Sequence, residues 1–272
     1  MSAAAEFDAW SAGQNYEHYM GRWSRGIAAL FLDWLAPPAQ ADWLEVGCGT
    51  GALTEEILAD ADPRSIIATD RSADFVSYAE QLIDDSRVRF AIADALDLPG
   101  PDASTDIVTS ALVLNFVEDR LAALAEMRRV LRPGGVLSFY VWDYPGGGMG
   151  IIDAFWTAAA EVDPDAAELR ENARFPFCTK DRLNTLCEGA GIPNAEIAAI
   201  EMDAVFPDFE SFWYPFTLGS GPAPSYCMSL PPDQRYHVKE HLAALVETGG
   251  PIVLPARAWA VRADKIGWRF PN

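Results

Sequence analysis

Along residues 26–142, short apolar runs alternate with longer stretches whose apolar positions recur at helical spacing. Ile27, Leu30, Phe31, Trp34 and Leu35 share one face of a helix from Gly26 to Leu35, which Pro37-Pro38 stops. There follow strand 43–46, helix 52–60, strand 65–69, helix 73–84, strand 87–92, a fourth strand Asp106–Ser110, helix 119–131 and strand Val136–Trp142. Helix 119–131 turns Leu121, Leu124, Met127, Val130 and Leu131 to the core. Its basic cluster, Arg128, Arg129 and Arg132, reads as structural, complementing the carboxyl end of the helix dipole. This alternation predicts an α/β fold, with parallel strands buried on both faces, right-handed crossovers and a ligand site beyond the carboxyl ends of the strands.

After Trp142 the pattern loosens. A helical piece near 151–161 precedes a helix over 180–190, and strands are expected over 196–205 and 252–263. Residues 207–250 between those strands are too long for a hairpin. They hold Phe209, Phe212, Trp213, Tyr214, Phe216, Tyr226 and Met228, a bend at Gly219, Gly221, Pro222 and Pro224, and a helix from Pro232 to Glu247. At the other end, Phe7–Ser24 reads as an amphipathic arm carrying Trp10, Tyr16, Tyr19, Met20 and Trp23.

The candidate chemistry gathers at Trp43–Thr54, where an apolar strand meets a glycine-rich turn and then a helix. Gly47, Gly49 and Gly51 let the backbone turn sharply and let a ligand approach main-chain N–H groups, near the positive end of the following helix. Gly47, Gly49 and Ala52 also satisfy a dinucleotide fingerprint, so the loop alone leaves a nicotinamide cofactor open. Glu45, at the end of the strand, suits a cationic ligand and would repel a pyrophosphate. Asp70 closes the next apolar run, where a carboxylate can accept both ribose hydroxyls, and Asp94 ends the run after that. Asp97 and Asp102, set among Pro99, Gly100 and Pro101, read as turn residues.

Glu45-Val-Gly-Cys-Gly-Thr-Gly51, Asp70, Ala93-Asp94-Ala95, Asp106-Ile-Val-Thr-Ser110 and Arg132-Pro-Gly-Gly135 stand in an order and spacing that resembles the class I S-adenosylmethionine-dependent methyltransferases. The likeness spans residues 43–142 and is nearest to the small-molecule branch that includes the ubiquinone and menaquinone biosynthesis methyltransferases. It implies a Rossmann-like, seven-stranded, mostly parallel sheet with an antiparallel last strand, and S-adenosylmethionine as cofactor. It places cofactor contacts at Glu45, Gly47, Cys48, Gly49, Gly51, Asp70, Arg71, Asp94, Ala95, Ser110 and Ala111. In that branch a Tyr-containing arm folds over the cofactor, which brings in Tyr16, while Arg22 pairs with the methionyl carboxylate or is a surface arginine beside an aromatic patch. The segment Ala111–Phe116 follows the fourth strand where the family sets cofactor against acceptor, so Asn115 touches the substrate or stabilises a turn. It lacks the Asn/Asp-Pro-Pro-Tyr/Phe motif of enzymes that methylate base amines or glutamine amides.

These features set one methyltransferase domain over residues 1–272, with a helical arm 1–35, a cofactor-binding core 41–143, and inserts 144–178 and 207–250 forming an aromatic lid. In that lid Trp213 and Tyr214 are candidate substrate contacts. A formal charge of -20 and a pI near 4.4 oppose nucleic acid. No apolar run reaches the ~18 residues of a membrane span, no export signal opens the chain, and Cys48, Cys178, Cys187 and Cys227 lack metal or disulfide spacing; a cytoplasmic protein is expected. His237 and His241, four apart, read as a solvated helix face, with no metal site. Methyl transfer needs no nucleophilic side chain, and no general base is assigned. A nicotinamide oxidoreductase and a non-catalytic cofactor-binding protein are the competing readings.

Overall fold

A computed structural model describes residues 15, 17–246 and 249–266. A π-helical turn, Glu17–Gly21, runs directly into α1 (Arg22–Leu35). Next come β1 (Asp42–Val46), α2 (Ala52–Asp60), β2 (Ser65–Asp70), α3 (Ala73–Leu82), β3 (Val88–Ile92), β4 (Thr105–Ala111), α4 (Arg120–Val130) and β5 (Leu131–Trp142). Beyond them lie α5 (Gly150–Val162), α6 (Glu171–Arg174), α7 (Lys180–Gly189), β6 (Glu196–Phe206), α8 (Phe209–Trp213), α9 (Pro222–Ser229), α10 (Pro232–Val246) and β7 (Ile252–Asp264). The seven strands form one sheet in the order β3-β2-β1-β4-β5-β7-β6. The pairs from β3 through β5 are parallel, and β7 runs antiparallel to β5. This is the expected Rossmann-like sheet.

The described residues gather into two compact units that interleave along the chain. One comprises Ser24–Trp142, Phe177–Ile200 and the residues from Ala258 on. Its strand interiors are apolar because both faces are covered: Leu44, Ala68, Val108, Leu137 and Phe139 have no solvent exposure. Helix ends follow local chemistry. Ser72 caps α3 by accepting from Phe75 N–H, and Asp119 caps α4 by accepting from Ala122 N–H.

The strand called from Val136 starts earlier, at Leu131, because Leu131 already pairs with Thr105 before a register shift. Arg132-Pro-Gly-Gly135 fills that irregularity. Gly134 sits at φ +81°, and a Cβ on Gly135 would lie 2.6 Å from the Asp106 carbonyl oxygen. Arg132 pairs with Asp106 at 2.6 Å, and Arg129 clamps Glu126 while donating to the Leu98 and Gly100 carbonyls. Buried Arg128 donates to the Ala190 carbonyl. The basic cluster is thus spent on tertiary structure.

The other unit gathers the described residues up to Trp23, Asp143–Pro176 and Glu201–Arg257. Its core is aromatic. Phe155 stacks on Phe216 with centroids 4.6 Å apart, Trp156 leans on Tyr226 at 5.2 Å, Tyr19 meets Phe216 at 5.8 Å, and Phe206 meets Phe212 edge-on at 4.9 Å. Of the large apolar side chains of the insert, Phe212, Trp213, Phe216 and Tyr226 are buried in this unit, whereas Tyr214 and Met228 are exposed. Two acids are buried with them. Glu171 accepts the Trp156 indole N–H at 2.5 Å, and burial pushes its carboxyl up to about 7. Asp143 is ion-paired with Arg257 and accepts the Gly146 N–H.

Asp143 is 1% exposed, so removing its cation leaves a buried charge without compensation. Arg257→Met is expected to lower unfolding free energy by ~3 kcal/mol in a denaturant titration, and Asp143→Asn in the same chain to recover part of the loss. Equal stability of Arg257→Met and the parent would show the pair to be energetically idle.

Candidate cofactor site

Chain order in the sheet reverses between β1 and β4: β2 and β3 lie outward on one side, β5 on the other. In parallel α/β sheets such a reversal leaves a crevice beyond the carboxyl strand ends, because the two flanking connections leave in opposite directions. The loop Gly47–Gly51 leaves β1 there, and Leu112–Phe116 leaves β4. The two meet: a Cβ on Gly47 (φ +78°) would fall 2.3 Å from Val113 Cγ2. Leu112 holds φ +60°, which a β-carbon makes costly, while its N–H donates to the Tyr140 carbonyl at 2.9 Å.

The three loop glycines answer three different constraints. Gly47 makes room for Val113, and a Cβ on Gly51 (φ +90°) would come 2.6 Å from Ile83 Cδ1. A Cβ on Gly49 (φ +54°) would meet no atom of the described residues within 4 Å. Gly49 therefore faces open space, as a backbone does where a ligand is to approach it. Its N–H donates to Asp70 Oδ2 at 3.0 Å, and Asp70 Oδ1 accepts the Ser72 N–H at 2.9 Å. Burial raises the Asp70 pKa, against those two N–H groups and Arg71, which lower it. A carboxylate offers about four acceptor sites, so lone pairs remain for hydroxyls.

Beneath the loop, Glu45 has no solvent exposure. Its Oε2 accepts the Thr54 hydroxyl of α2 at 2.5 Å, and its Oε1 has no partner. Burial pushes this carboxyl up to about 7; Thr54 counters and the charge of Asp70 adds to the rise. Thr69 ties the two strand ends together, its hydroxyl donating to the Glu45 carbonyl while its own carbonyl accepts the N–H groups of Gly47 and Cys48. The Cys48 thiol is buried, and burial with the nearby Glu45 and Asp70 raises its pKa.

The remaining expected residues differ in what they offer. Asp94 is exposed and its Oδ1 accepts the Leu96 N–H at 2.9 Å, a local turn; Ala95 follows it, and the Ala93 N–H donates to the Asp70 carbonyl, which sets the two strand ends side by side. The Ser110 hydroxyl is fully buried and committed to the Val46 carbonyl at 2.8 Å, so it links β4 to β1, while Ala111 and exposed Arg71 flank the strand ends. Asn115 is 4% exposed and its Nδ2 has no acceptor. Thr54, Val113 and Arg120 were not singled out from sequence. Arg120 donates to the Leu114 and Asn115 carbonyls and stacks 4.0 Å over the Phe177 ring, pinning the turn that carries Asn115. For Thr54 the signal was available: it stands nine residues after Glu45, one turn into the helix that the loop opens.

Arg22, Trp213 and Tyr214 belong to the aromatic unit. The Arg22 guanidinium lies 4.1 Å over the Trp23 ring and 4.5 Å over Phe206, and burial lowers its pKa. Trp213 is 7% exposed and Tyr214 53%. Tyr16 and Trp10 lie outside the described residues. Among the described residues no group of three or more His, Cys, Asp and Glu is placed to hold a metal ion, and no helix is long and apolar enough to cross a membrane.

The open face of Gly49, the free acceptor sites of Asp70 and the unpartnered Glu45 Oε1 fit a ligand that combines vicinal hydroxyls with positive charge, as S-adenosylmethionine does. Comparison with known proteins agrees. Residues 44–139 match the model of a methyltransferase domain family. A ubiquinone/menaquinone biosynthesis C-methyltransferase from Dinoroseobacter shibae is 34% identical over 122 residues, 42% of this chain and 49% of that protein. A 27-O-demethylrifamycin SV methyltransferase from Amycolatopsis mediterranei is 32% identical over 158 residues, 51% of this chain and 55% of that protein. The chain spans about half the length of these two curated relatives, and 34% of a malonyl-acyl-carrier-protein O-methyltransferase from Hahella chejuensis. The crystal structure of a putative methyltransferase from Bacillus halodurans superposes with a TM-score of 0.57 at 18% identity, covering 88% of this chain and 98% of that one, which establishes the shared fold. Motif order, sheet topology and loop geometry thus agree with the comparisons: residues 44–139 resemble a methyltransferase domain, and the chain shares the Rossmann-like fold of the solved structure.

Proposed function

We propose that the chain transfers a methyl group from S-adenosylmethionine to a small, largely apolar acceptor. The observation that carries this reading is Gly49, held by Asp70 yet open on its Cα side, between an unpartnered buried carboxyl and the end of β4. Asp70 takes the ribose hydroxyls, Glu45 the positive end of the cofactor, and Gly47, Cys48 and Gly51 shape the loop. Asp94, Ala95, Arg71, Ser110 and Ala111 border the same strand ends. When bound, the cofactor supplies an electrophilic methyl group on sulfur. The chain's part is to align an acceptor at ~3–3.5 Å from that carbon and exclude water, tasks that require no covalent side-chain chemistry.

The acceptor reading rests on the inserts' composition, since their many large aromatic side chains are of the kind that commonly line sites for apolar ligands. The curated relatives, named for quinone and rifamycin methylation, are consistent with it. Residues 144–178 and 207–250, with the arm before Gly26, form a cover in this proposal, and Arg22 takes the methionyl carboxylate. Asn115, with an unused buried donor, is the acceptor contact nearest the cofactor loop in sequence. Four cysteines without disulfides fit a reducing, cytoplasmic setting, and the -20 charge disfavours a nucleic-acid acceptor.

S-adenosylmethionine and S-adenosylhomocysteine are expected to raise the melting temperature, because only the folded loop can hold them. A shift with NAD and none with either compound at millimolar concentration would replace this reading by an oxidoreductase. Asp70→Ala should weaken cofactor binding by ~1.5–3 kcal/mol, measured by calorimetry.

The glycines give a second test. Gly49→Ala meets no atom of the described residues, so without ligand it should cost only the left-handed backbone penalty of ~1–2 kcal/mol while cofactor binding drops at least tenfold. Gly47→Ala should destabilise the ligand-free protein more, because Val113 must move. Equal loss of stability for both, with cofactor affinity intact in Gly49→Ala, would remove the open face from the site.

For the acceptor, Tyr214→Ala is the informative change because this side chain is exposed, whereas Trp213 is part of the unit's core. Acceptor turnover in a methyl-label assay should fall while S-adenosylhomocysteine affinity stays within about twofold, or ~0.4 kcal/mol. Unchanged turnover would take Tyr214 out of acceptor recognition.

A further inference from the structure

Glu45 is buried among neighbours that cannot neutralise it. Across the parallel register its neighbours are Ala68 on β2 and Thr109 on β4; Thr109 pairs with Ser138 on β5, and Ser138 with Arg262 on β7. Arg262 is the first cation in that row, three strands away, or roughly 14 Å at ~4.8 Å per strand. Its guanidinium is engaged with the Leu35 carbonyl and Asp264. Glu45, Thr109 and Ser138 all have zero exposure, and Glu45 Oε1, Thr109 Oγ1 and Ser138 Oγ have no partner.

The other groups facing Glu45 bring no positive charge. Thr54 of α2 is neutral, Asp70 of β2 is an acid, and the Cys48 thiol is held protonated by burial and by the two carboxyls. An ion in such a place has one hydrogen bond and an anion as neighbour, so on the acidic side of neutrality the free protein holds mostly the neutral acid.

We infer that Glu45 selects the cationic end of the cofactor by exchange: it is protonated in the free protein and gives up that proton when a positively charged ligand enters, so that binding expels one proton from the site. The inference rests on the cofactor being an adenosyl sulfonium or amine compound. In balance, the O–H bond of the Glu45 carboxyl breaks, its electron pair stays on the carboxylate, and the proton leaves to bulk buffer. The ligand's fixed positive charge takes its place opposite the carboxylate. A neutral ligand cannot drive this exchange, which makes Glu45 a determinant of charge specificity as well as a contact.

The sign of the pH dependence follows. With a free-state value of about 7, about 0.9 proton should be released at pH 6 and about 0.1 at pH 8. Affinity should then rise about fivefold from pH 6 to 7 and less than twofold from pH 7 to 8. The ligand's own α-amino group, with a pKa near ~8, would instead take up a proton above neutrality, the opposite sign. Asp70, the other acid with a raised pKa at the loop, is lifted by burial, while the Ser72 and Gly49 N–H groups and Arg71 lower it.

The test is isothermal titration calorimetry of the intact protein at pH 6, 7 and 8 in two buffers of different ionisation enthalpy. The probes are S-adenosylmethionine, S-adenosylhomocysteine and, as a neutral control, 5′-methylthioadenosine. Release with the two charged probes that fades toward pH 8, and none with methylthioadenosine, is the expected result. Glu45→Gln should abolish the release and flatten the pH dependence. If that variant does not fold, the contrast between charged and neutral probes in the parent protein decides alone. Binding of the charged probes with heats independent of buffer at pH 6, equal release with methylthioadenosine, or release that persists in Glu45→Gln overturns the inference while leaving the cofactor assignment standing. Absence of binding by all three probes overturns the cofactor assignment itself, and the inference with it.

Discussion

The hydrogen bond from the Gly49 N–H to Asp70 Oδ2 is the constraint from which the site follows. It joins the loop after β1 to the end of β2, and Thr69 adds the Gly47 and Cys48 N–H groups to the same strand through its carbonyl. A glycine-rich loop has many conformations open to it, so ordering it is entropically costly. Here main-chain bonds to one neighbouring strand meet much of that cost before any ligand arrives. The side chain proposed to take the ribose hydroxyls is thus also the one that sets the shape of the loop.

The sequence made legible the apolar runs of the buried strands and the one-sided apolar stripes of the long helices. The strands and long helices stand close to their expected bounds, because burial on both sheet faces leaves continuous apolar runs and burial on one helix face leaves a stripe. The pieces between them were not legible. The turn Leu114–Phe116, the 3₁₀ segments Pro164–Leu169 and Tyr214–Thr217, and helices α6, α8 and α9 are too short to complete a periodic pattern. At the site, glycines and strand-end acids announce themselves by residue type, but their partners do not. Nothing in the spacing says that Val113 closes over Gly47, that Arg120 fixes the carbonyls of Leu114 and Asn115, or that the Ser110 hydroxyl is used to tie two strands. Those are properties of tertiary packing.

Formal charge counts every acid as ionised, and two here resist it. Glu45 and Glu171 are each almost wholly enclosed, each accepts one short bond, from Thr54 and Trp156, and burial pushes both up to about 7. A carboxyl raised in this way stabilises the fold fully below its unfolded value near ~4.3, and that contribution is lost as pH rises through about 7. Both units therefore carry an acid that favours the folded chain on the acidic side of neutrality. That trend opposes the usual acid denaturation of a protein with 40 Asp and Glu residues.

The interleaving of the two units bears on how the chain is made. β5, buried and apolar along most of its twelve residues, takes its antiparallel partner from Ala258–Asp264. During vectorial synthesis at ~5–20 residues per second, its free edge waits through more than a hundred intervening residues, or several seconds to tens of seconds. An unpaired apolar strand edge is a template for pairing with other chains. Nascent molecules of this protein thus depend, over that interval, on whatever shields β5 until β7 leaves the ribosome.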